Sequence, residues 1–441
     1  MQATHQINAR WIITVDSDNT VLEHHALIIQ DDIIIDILPQ TAANKYNADT
    51  ETTFSDHALF PGLINAHTHA SMSLLKGLAD DIPLQEWLNE HIWPAEKALA
   101  DESFVRDGAE LAIAEMIKSG TTCFNDMYFF IDQTAEVAAR AGIRANIGIP
   151  IIDFPTRWAS NLDEYISKGL AVRDRYTNEA LLNFTFSPHA PYTVSDTSLK
   201  TIQPLMDELG MPMHMHLHET SSEVDDAIAT IGQSPLERLE ELNLLNPDLI
   251  AVHMTALTDA DIQKLANYGV HIVHCPESNL KLASGFCPVP ALIKAGINVA
   301  LGTDGSASNN DIDMLGEMRT AALIAKGATT KPDALPAYQA LRMATINGAK
   351  ALGMDNKVGS LEINKQADMV AIDLNSIETQ PVYDVVSTLV YSANRSQITD
   401  VWVAGKQLLS SKTLTTLDES AILEKAKRWH EKVAPFHHQS Y

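Results

Sequence analysis

The chain is poor in three things, and each shortage excludes something. Cysteine occurs only three times in 441 residues, as Cys123, Cys275 and Cys287. So sparse and odd a set, with no C-x-x-C pair, builds no disulfide framework and fits a reducing, cytoplasmic compartment. Basic residues are also scarce: 31 Lys and Arg stand against 57 Asp and Glu, a formal net charge of −26. Nucleic acid and anionic membrane both demand clustered Lys and Arg, so neither is expected as a partner. The acidic excess reads as solubility. Long apolar runs are missing as well. No stretch approaches the ~20 apolar residues that span a bilayer. The opening MQATHQINARWIITVD has neither the basic region nor the apolar stretch of a secretion signal. What remains is 45 % hydrophobic and 20 % charged, the make-up of a soluble globular protein with a large core and room for an accessory domain.

The two ends of the chain read as β-structure. HALIIQ and IIIDILP are β-branched runs around a DD turn; ADMVAIDL and ITDVWVAGKQLL lie near the other end, the second turning at Ala404-Gly405. Neither end buries a core alone. Residues 1–58 and 362–441 are therefore expected to form one small composite β-sandwich domain, completed by a helix from about Glu419 to Ala434. The middle, residues 59–361, alternates short apolar strands with amphipathic helices. ALFPGLINAH, GTTCFNDM, IRANIGIPI, LLNFTFSPH, MPMHMHLHE, LIAVH, VHIVHCP and INVALGTD are eight strand candidates, spaced by helical stretches such as SFVRDGAELAIAEMIKSG and DADIQKLANYG. That pattern predicts an α/β fold of the (β/α)8 TIM-barrel type. A doubly wound open sheet is the competing layout. The barrel is preferred because polar residues sit at the carboxyl end of nearly every strand, where barrel enzymes place their sites.

Those strand ends carry the chemistry. Residues i and i+2 of a strand share a side, so His67 and His69 aim two imidazoles at one point. An H-x-H pair alone is a weak signal. The fifth strand adds His214, His216 and His218 on one face, followed by Glu219, and the eighth ends in Asp304. Three histidines and a carboxylate suit a single divalent ion, zinc above others. Of the fifth-strand set, His216 is the expected ligand, His214 a barrel-interior residue, and His218 a supporting or structural one. His253 closes the sixth strand and stands as a further histidine around the ion. His271 and His274 are read as structural or loop-orienting. A two-metal site bridged by a modified lysine would need Lys at the end of the fourth strand, which instead offers Ser187 and His189. The zinc deaminases built on H-x-E and P-C-x-x-C are excluded, because HCPESN has no second Cys.

PGLINAHTHASMSLLKGLADDIPLQEWLNEHIWPAE, HLHET, HCPESNLKLASG and LGTDGSASNNDIDMLGEMR resemble the amidohydrolase superfamily, and within it the bacterial 5'-methylthioadenosine/S-adenosylhomocysteine deaminases. The likeness runs almost end to end through the barrel. It implies His67, His69, His216 and Asp304 as metal ligands and Glu219, His253 and Asp304 as catalytic residues. Glu96, in WPAEK, matches a carboxylate for the ribose diol; a carboxylate accepts from two hydroxyls at once. His189, in SPHAPY, matches a purine-nucleoside contact. Relatives that hold the amino-acid tail of S-adenosylhomocysteine use arginines after the third strand. Here GIPIIDFPTRWASN offers only Arg157, as a substrate contact or as a surface residue, with Phe154 and Trp158 beside it as thioether-side lining or plain packing.

The resemblance thus implies an adenine-nucleoside substrate and hydrolytic deamination at C6, giving the inosine analogue and ammonia. Asp304 would take a proton from water and pass it to the leaving amine, Glu219 would protonate the ring nitrogen beside C6, and His253 would polarise the water. A hydrolase for another heterocycle, guanine or a triazine, is the alternative on the same framework; a non-catalytic scaffold would have lost ligands that are all present. A homo-oligomer suits such an enzyme, although no interface is legible in the sequence.

Overall fold

In the computed structural model, residues 1–437 are described. The amino-terminal segment supplies β1 (Gln2–Ile13), β2 (Val21–Gln30), β3 (Ile33–Pro39) and β4 (Asn47–Pro61). The DD pair makes the tight β2–β3 turn, with Asp31 in the left-handed region. Across Gly62 the chain runs straight into the barrel strands β5 (Leu63–Thr68), β6 (Thr121–Met127), β7 (Arg144–Ile151) and β8 (Leu182–Pro188). β9 (Met213–Leu217), β10 (Leu249–His253), β11 (His271–His274) and β12 (Val299–Leu301) complete the set.

All eight candidates are strands, and they pair in parallel in sequence order. β5, β6 and β7 are buried along their whole length, the near-continuous apolar pattern of a sheet covered on both faces. The sheet closes on itself between its first and last strands. Thr68 bridges Asp304, the Asp304 N–H donates to the His67 carbonyl at 3.0 Å, and the Asn65 amide donates to the Thr303 hydroxyl at 2.8 Å. Closure fixes where His67 and Asp304 stand relative to each other. Helices form where the apolar spacing predicts them. Glu102–Lys118 starts at an Asp101 cap, and Asp259–Tyr268 is opened by a Thr258/Asp261 capping box and ended by Gly269 in the left-handed conformation.

After the barrel come β13 (Met369–Asp373), β14 (Ile398–Val403), β15 (Lys406–Ser410) and β16 (Thr413–Leu414). Ala404 and Gly405, with φ of 46° and 74°, make the two-residue β14–β15 turn expected of that pair. Strands from both ends share one mixed sheet, ordered β16-β15-β14-β13-β4-β1-β2-β3, curled around a common core that includes Ile7, Leu27, Ile34, Met369 and Trp402. The carboxyl-terminal helix spans Glu419–Val433 and docks on Glu102–Lys118, where Trp429 Nε1 donates to Asp107 at 2.9 Å. Among the described residues, no helix is long and apolar enough to cross a membrane.

Candidate active site

Four side chains meet at the carboxyl end of the barrel. His67 Nε2 lies 3.1 Å from His216 Nε2 and 3.2 Å from Asp304 Oδ1, while His69 Nε2 lies 3.2 Å from His216 Nε2 and 3.3 Å from Asp304 Oδ1. One donor atom from each of the four falls within 4.8 Å of every other. Strand alternation brings His67 and His69 there, β9 places His216, and barrel closure brings in Asp304. This is the quartet expected from the strand ends.

The donor set fits one divalent cation. Backbone carbonyls accept from the far side of two rings, Met127 from His69 Nδ1 at 2.5 Å and His189 from His216 Nδ1 at 2.7 Å, which leaves both Nε2 lone pairs aimed at the shared centre. His67 is fixed by His214, whose Nε2 lies 3.0 Å from its Nδ1; His214 is in turn held by Asn125. The charges also fit. Burial drives His67 down to about 4 and His216 well below the ordinary histidine value, so both are neutral, as ligands must be. Burial opposes ionisation of Asp304, yet hydrogen bonds with His67 and His69 hold it well below the usual carboxylate range. Its buried negative charge calls for a cation. Without an ion, burial opposes a charge on His69, yet its hydrogen bond to Asp304 pushes it up to about 9; as a ligand it would give up that proton and the ion would supply the positive charge in its place.

His253 stands outside this donor set. Its ring stacks on His216 at 5.4 Å, its Nδ1 donates to Asn279 Oδ1 at 2.8 Å, and its Nε2 is 3.8 Å from Glu219 Oε2. Glu219 follows β9 directly. Burial raises its carboxyl, and the nearby Asp304 adds to the rise against the opposing pull of His253. Its backbone is clamped on both sides: Glu223 accepts from the Glu219 N–H at 2.7 Å, and the Thr255 hydroxyl donates to its carbonyl at 2.6 Å. His218, Asp304 and His253 all have positive φ, so backbone strain concentrates at these strand ends.

The cluster forms the floor of a cavity of about 650 Å³. Glu96, on the helix Trp93–Leu99, lines it together with His189, and Tyr128 donates to Glu96 Oε1 at 2.8 Å. Burial in these apolar surroundings raises Glu96 to about 7, although Tyr128 and His69 favour its charged form. His189 is driven down to about 3 by burial and by its histidine neighbours, so it faces the cavity neutral. Trp87, Trp93, Phe129, Ile152 and Phe154 make much of the remaining wall. Arg157 also lines the cavity. Its guanidinium donates to the Ala98 carbonyl at 2.9 Å and lies 3.7 Å from Asp101.

Several supporting residues carried no signal of their own in the sequence. Ser278 and Ser308 both donate to Asp304 Oδ2, at 2.6 and 2.8 Å, and Asn279 orients His253. HCPESN and GTDGSASNN contain all three, yet a hydroxyl or amide in a loop points to no role until the loop's neighbours are known. Tyr128 was hidden in the same way. His218 is structural: its Nδ1 donates to Ala256 O at 2.7 Å and its Nε2 accepts from the Leu236 N–H.

A parallel barrel with three histidines, an aspartate and an unligated buried Glu at its carboxyl end defines a class, the barrel hydrolases that work with a bound metal ion. The model of the Amidohydrolase family matches residues 58–408, and this chain belongs to that family. It is 50 % identical, over 97 % of its own length and 96 % of the other's, to a 5-methylthioadenosine/S-adenosylhomocysteine deaminase of Saccharophagus degradans. A 5'-deoxyadenosine deaminase of Methanosarcina mazei is 39 % identical over 97 % of this chain and 98 % of that one. Among solved structures, an adenosine deaminase from Xanthomonas campestris with bound zinc superposes with a TM-score of 0.96 at 48 % identity, covering 98 % of this chain and 99 % of the other.

Proposed function

We propose that this enzyme deaminates adenine nucleosides hydrolytically at C6, with 5'-methylthioadenosine its best substrate, S-adenosylhomocysteine a second and adenosine a slower one. The observation that carries this reading is that one cavity of about 650 Å³ is lined both by Glu96 and by His69, His216 and Asp304 of the four-donor cluster. The metal end suits attack on the base, and the carboxylate suits a sugar diol. The names of the relatives, one acting on 5'-deoxyadenosine, point the same way. So does the wall of Trp87, Trp93 and Phe154, which favours a small apolar 5' group.

His67, His69, His216 and Asp304 would hold the ion, zinc by the three-histidine, one-carboxylate donor set and by the zinc in the similar Xanthomonas structure. When bound, it supplies Lewis-acid chemistry that makes water easier to deprotonate at neutral pH. Asp304 takes one proton from the attacking water, while His253, fixed by Asn279, stabilises charge on that oxygen. Glu219, whose carboxyl burial raises toward holding its proton, gives that proton to N1 as the oxygen bonds to C6. Asp304 then hands its proton to the amino group, the C6–N bond breaks, and ammonia leaves. The proton on the new C6 oxygen returns to Glu219, and the lactam remains. His189 contacts the base as a neutral ring.

Arg157 lines the cavity, but its guanidinium is engaged by the Ala98 carbonyl and faces Asp101, so it is not free to hold an amino-acid carboxylate, which is why the methylthio substrate ranks first. The three cysteines are free and buried, in keeping with a cytoplasmic enzyme. Ammonia release with 5'-methylthioadenosine, S-adenosylhomocysteine, adenosine and guanine in parallel tests the reading. Turnover in that order supports it. Turnover of guanine alone would move the enzyme to free bases.

A further inference from the structure

We infer that Tyr128 is a positioning residue for the sugar end of the site, fixing the Glu96 carboxylate so that its second oxygen is presented to the ribose diol. This rests on the reading of Glu96 given above. The contact is specific: Tyr128 Oη donates to Glu96 Oε1 at 2.8 Å, between residues 32 apart in sequence. Tyr128 is only 5 % exposed and packs on Phe129, with ring centroids 5.4 Å apart, so its hydroxyl is held in place. One carboxylate oxygen is thereby committed, and Oε2 is left for a ligand in the cavity that Glu96 lines.

The two residues belong to parts of unequal stiffness. Tyr128 directly follows β6 in the barrel wall. Glu96 rides on a seven-residue helix entered through a π-helical turn, Trp87–Ile92, an irregular stretch outside the barrel. Met127, the residue before Tyr128, supplies the carbonyl that orients His69. Two consecutive residues at the tip of β6 therefore hold both ends of the site, the metal cluster through Met127 and the carboxylate through Tyr128. The span from C6 to the ribose is set by one strand end and not by the helix that carries Glu96. Selection for a nucleoside over its deoxy analogue then follows from that geometry.

The test compares 5'-deoxyadenosine with 2',5'-dideoxyadenosine, which differ by one hydroxyl, on the metal-loaded enzyme. Tyr128→Phe is expected to lower kcat/KM for the first by about tenfold, the worth of a hydrogen bond to a charged group. The loss should fall mainly in KM, and the second substrate, which offers Glu96 one hydroxyl and not two, should lose clearly less. Glu96→Gln should compress the same preference, and the double variant should be no worse than Glu96→Gln alone. Equal losses on both substrates, or an unchanged preference in Tyr128→Phe while Glu96→Gln loses it, would overturn the inference and leave the reading of Glu96 standing. An unchanged preference in Glu96→Gln would remove both. Metal content and Tm, measured on each variant, separate a folding loss, which lowers both substrates together, from a positioning loss.

Discussion

Glu219 and Glu96 line one cavity, and the proposed reaction gives their carboxyls opposite duties. Burial raises both, yet Glu219 must carry a proton to donate it, whereas Glu96 must lose its proton to accept from two hydroxyls. Glu219→Gln keeps the shape and all four metal donors, so metal content should match the parent while kcat falls by about 10²–10⁴, the range of one acid–base group. Parent-like turnover in that variant would take Glu219 out of the chemistry. For Glu96 the sign is worked from its value of about 7, with Tyr128 and His69 facing it and Lys97 next to it on its helix. Its charged form is populated above that pH, so KM for 5'-deoxyadenosine should rise as pH falls through about 7, and KM for 2',5'-dideoxyadenosine, with one hydroxyl fewer for Glu96, should rise less. Parallel profiles would contradict the diol contact. The donor quartet was legible in the sequence because strand alternation and strand-end position alone aim those side chains inward. Tyr128, Asn279, Ser278 and Ser308 were not, since each acts through a neighbour that only the folded loops bring to it.

Elements place these residues, and the β5–β12 seam places the most. Gly302 precedes Thr303 and Asp304, and a Cβ there would lie 2.8 Å from the His67 backbone nitrogen and 2.9 Å from its Cβ. Only glycine lets the last strand come close enough to the first to close the barrel and set Asp304 beside His67. Gly302→Ala should cost about 1–3 kcal/mol as an overpacked core position and should weaken metal binding more than a substitution of equal cost elsewhere. Isothermal titration of metal together with thermal unfolding checks both; an unchanged affinity would mean that the seam has slack. Strand existence and order were readable from the alternation of apolar runs with capped helices. The close approach at Gly302 was not, because GTD carries no mark of the strand it will meet.

At the scale of the whole molecule, the barrel and the sheet from the chain ends are joined by a buried ion pair. Arg144 begins β7 and Asp368 precedes β13; Nε donates to Oδ2 at 3.0 Å and Nη2 to Oδ1 at 2.9 Å, with both side chains 2 % exposed. Asp368 Oδ1 also accepts from the Ala404 N–H at 2.8 Å, tying in the β14–β15 turn. Asp368→Ala leaves a buried guanidinium without its partner, so a loss of about 3–5 kcal/mol is expected, read as a lower Tm with little change in KM. A surface-like loss of a few tenths would show that the two parts stand independently. Nothing in sequence order announces this pair, which lies 224 residues apart. In the proposed reaction one ion, held by His67, His69, His216 and Asp304, serves the deamination. The most direct test is zinc titration into chelator-stripped enzyme, with metal per chain and ammonia release from 5'-methylthioadenosine read on the same samples. Activity should rise from nothing and level off at one ion per chain. Full activity in the stripped protein, or a plateau only at two ions, would contradict it.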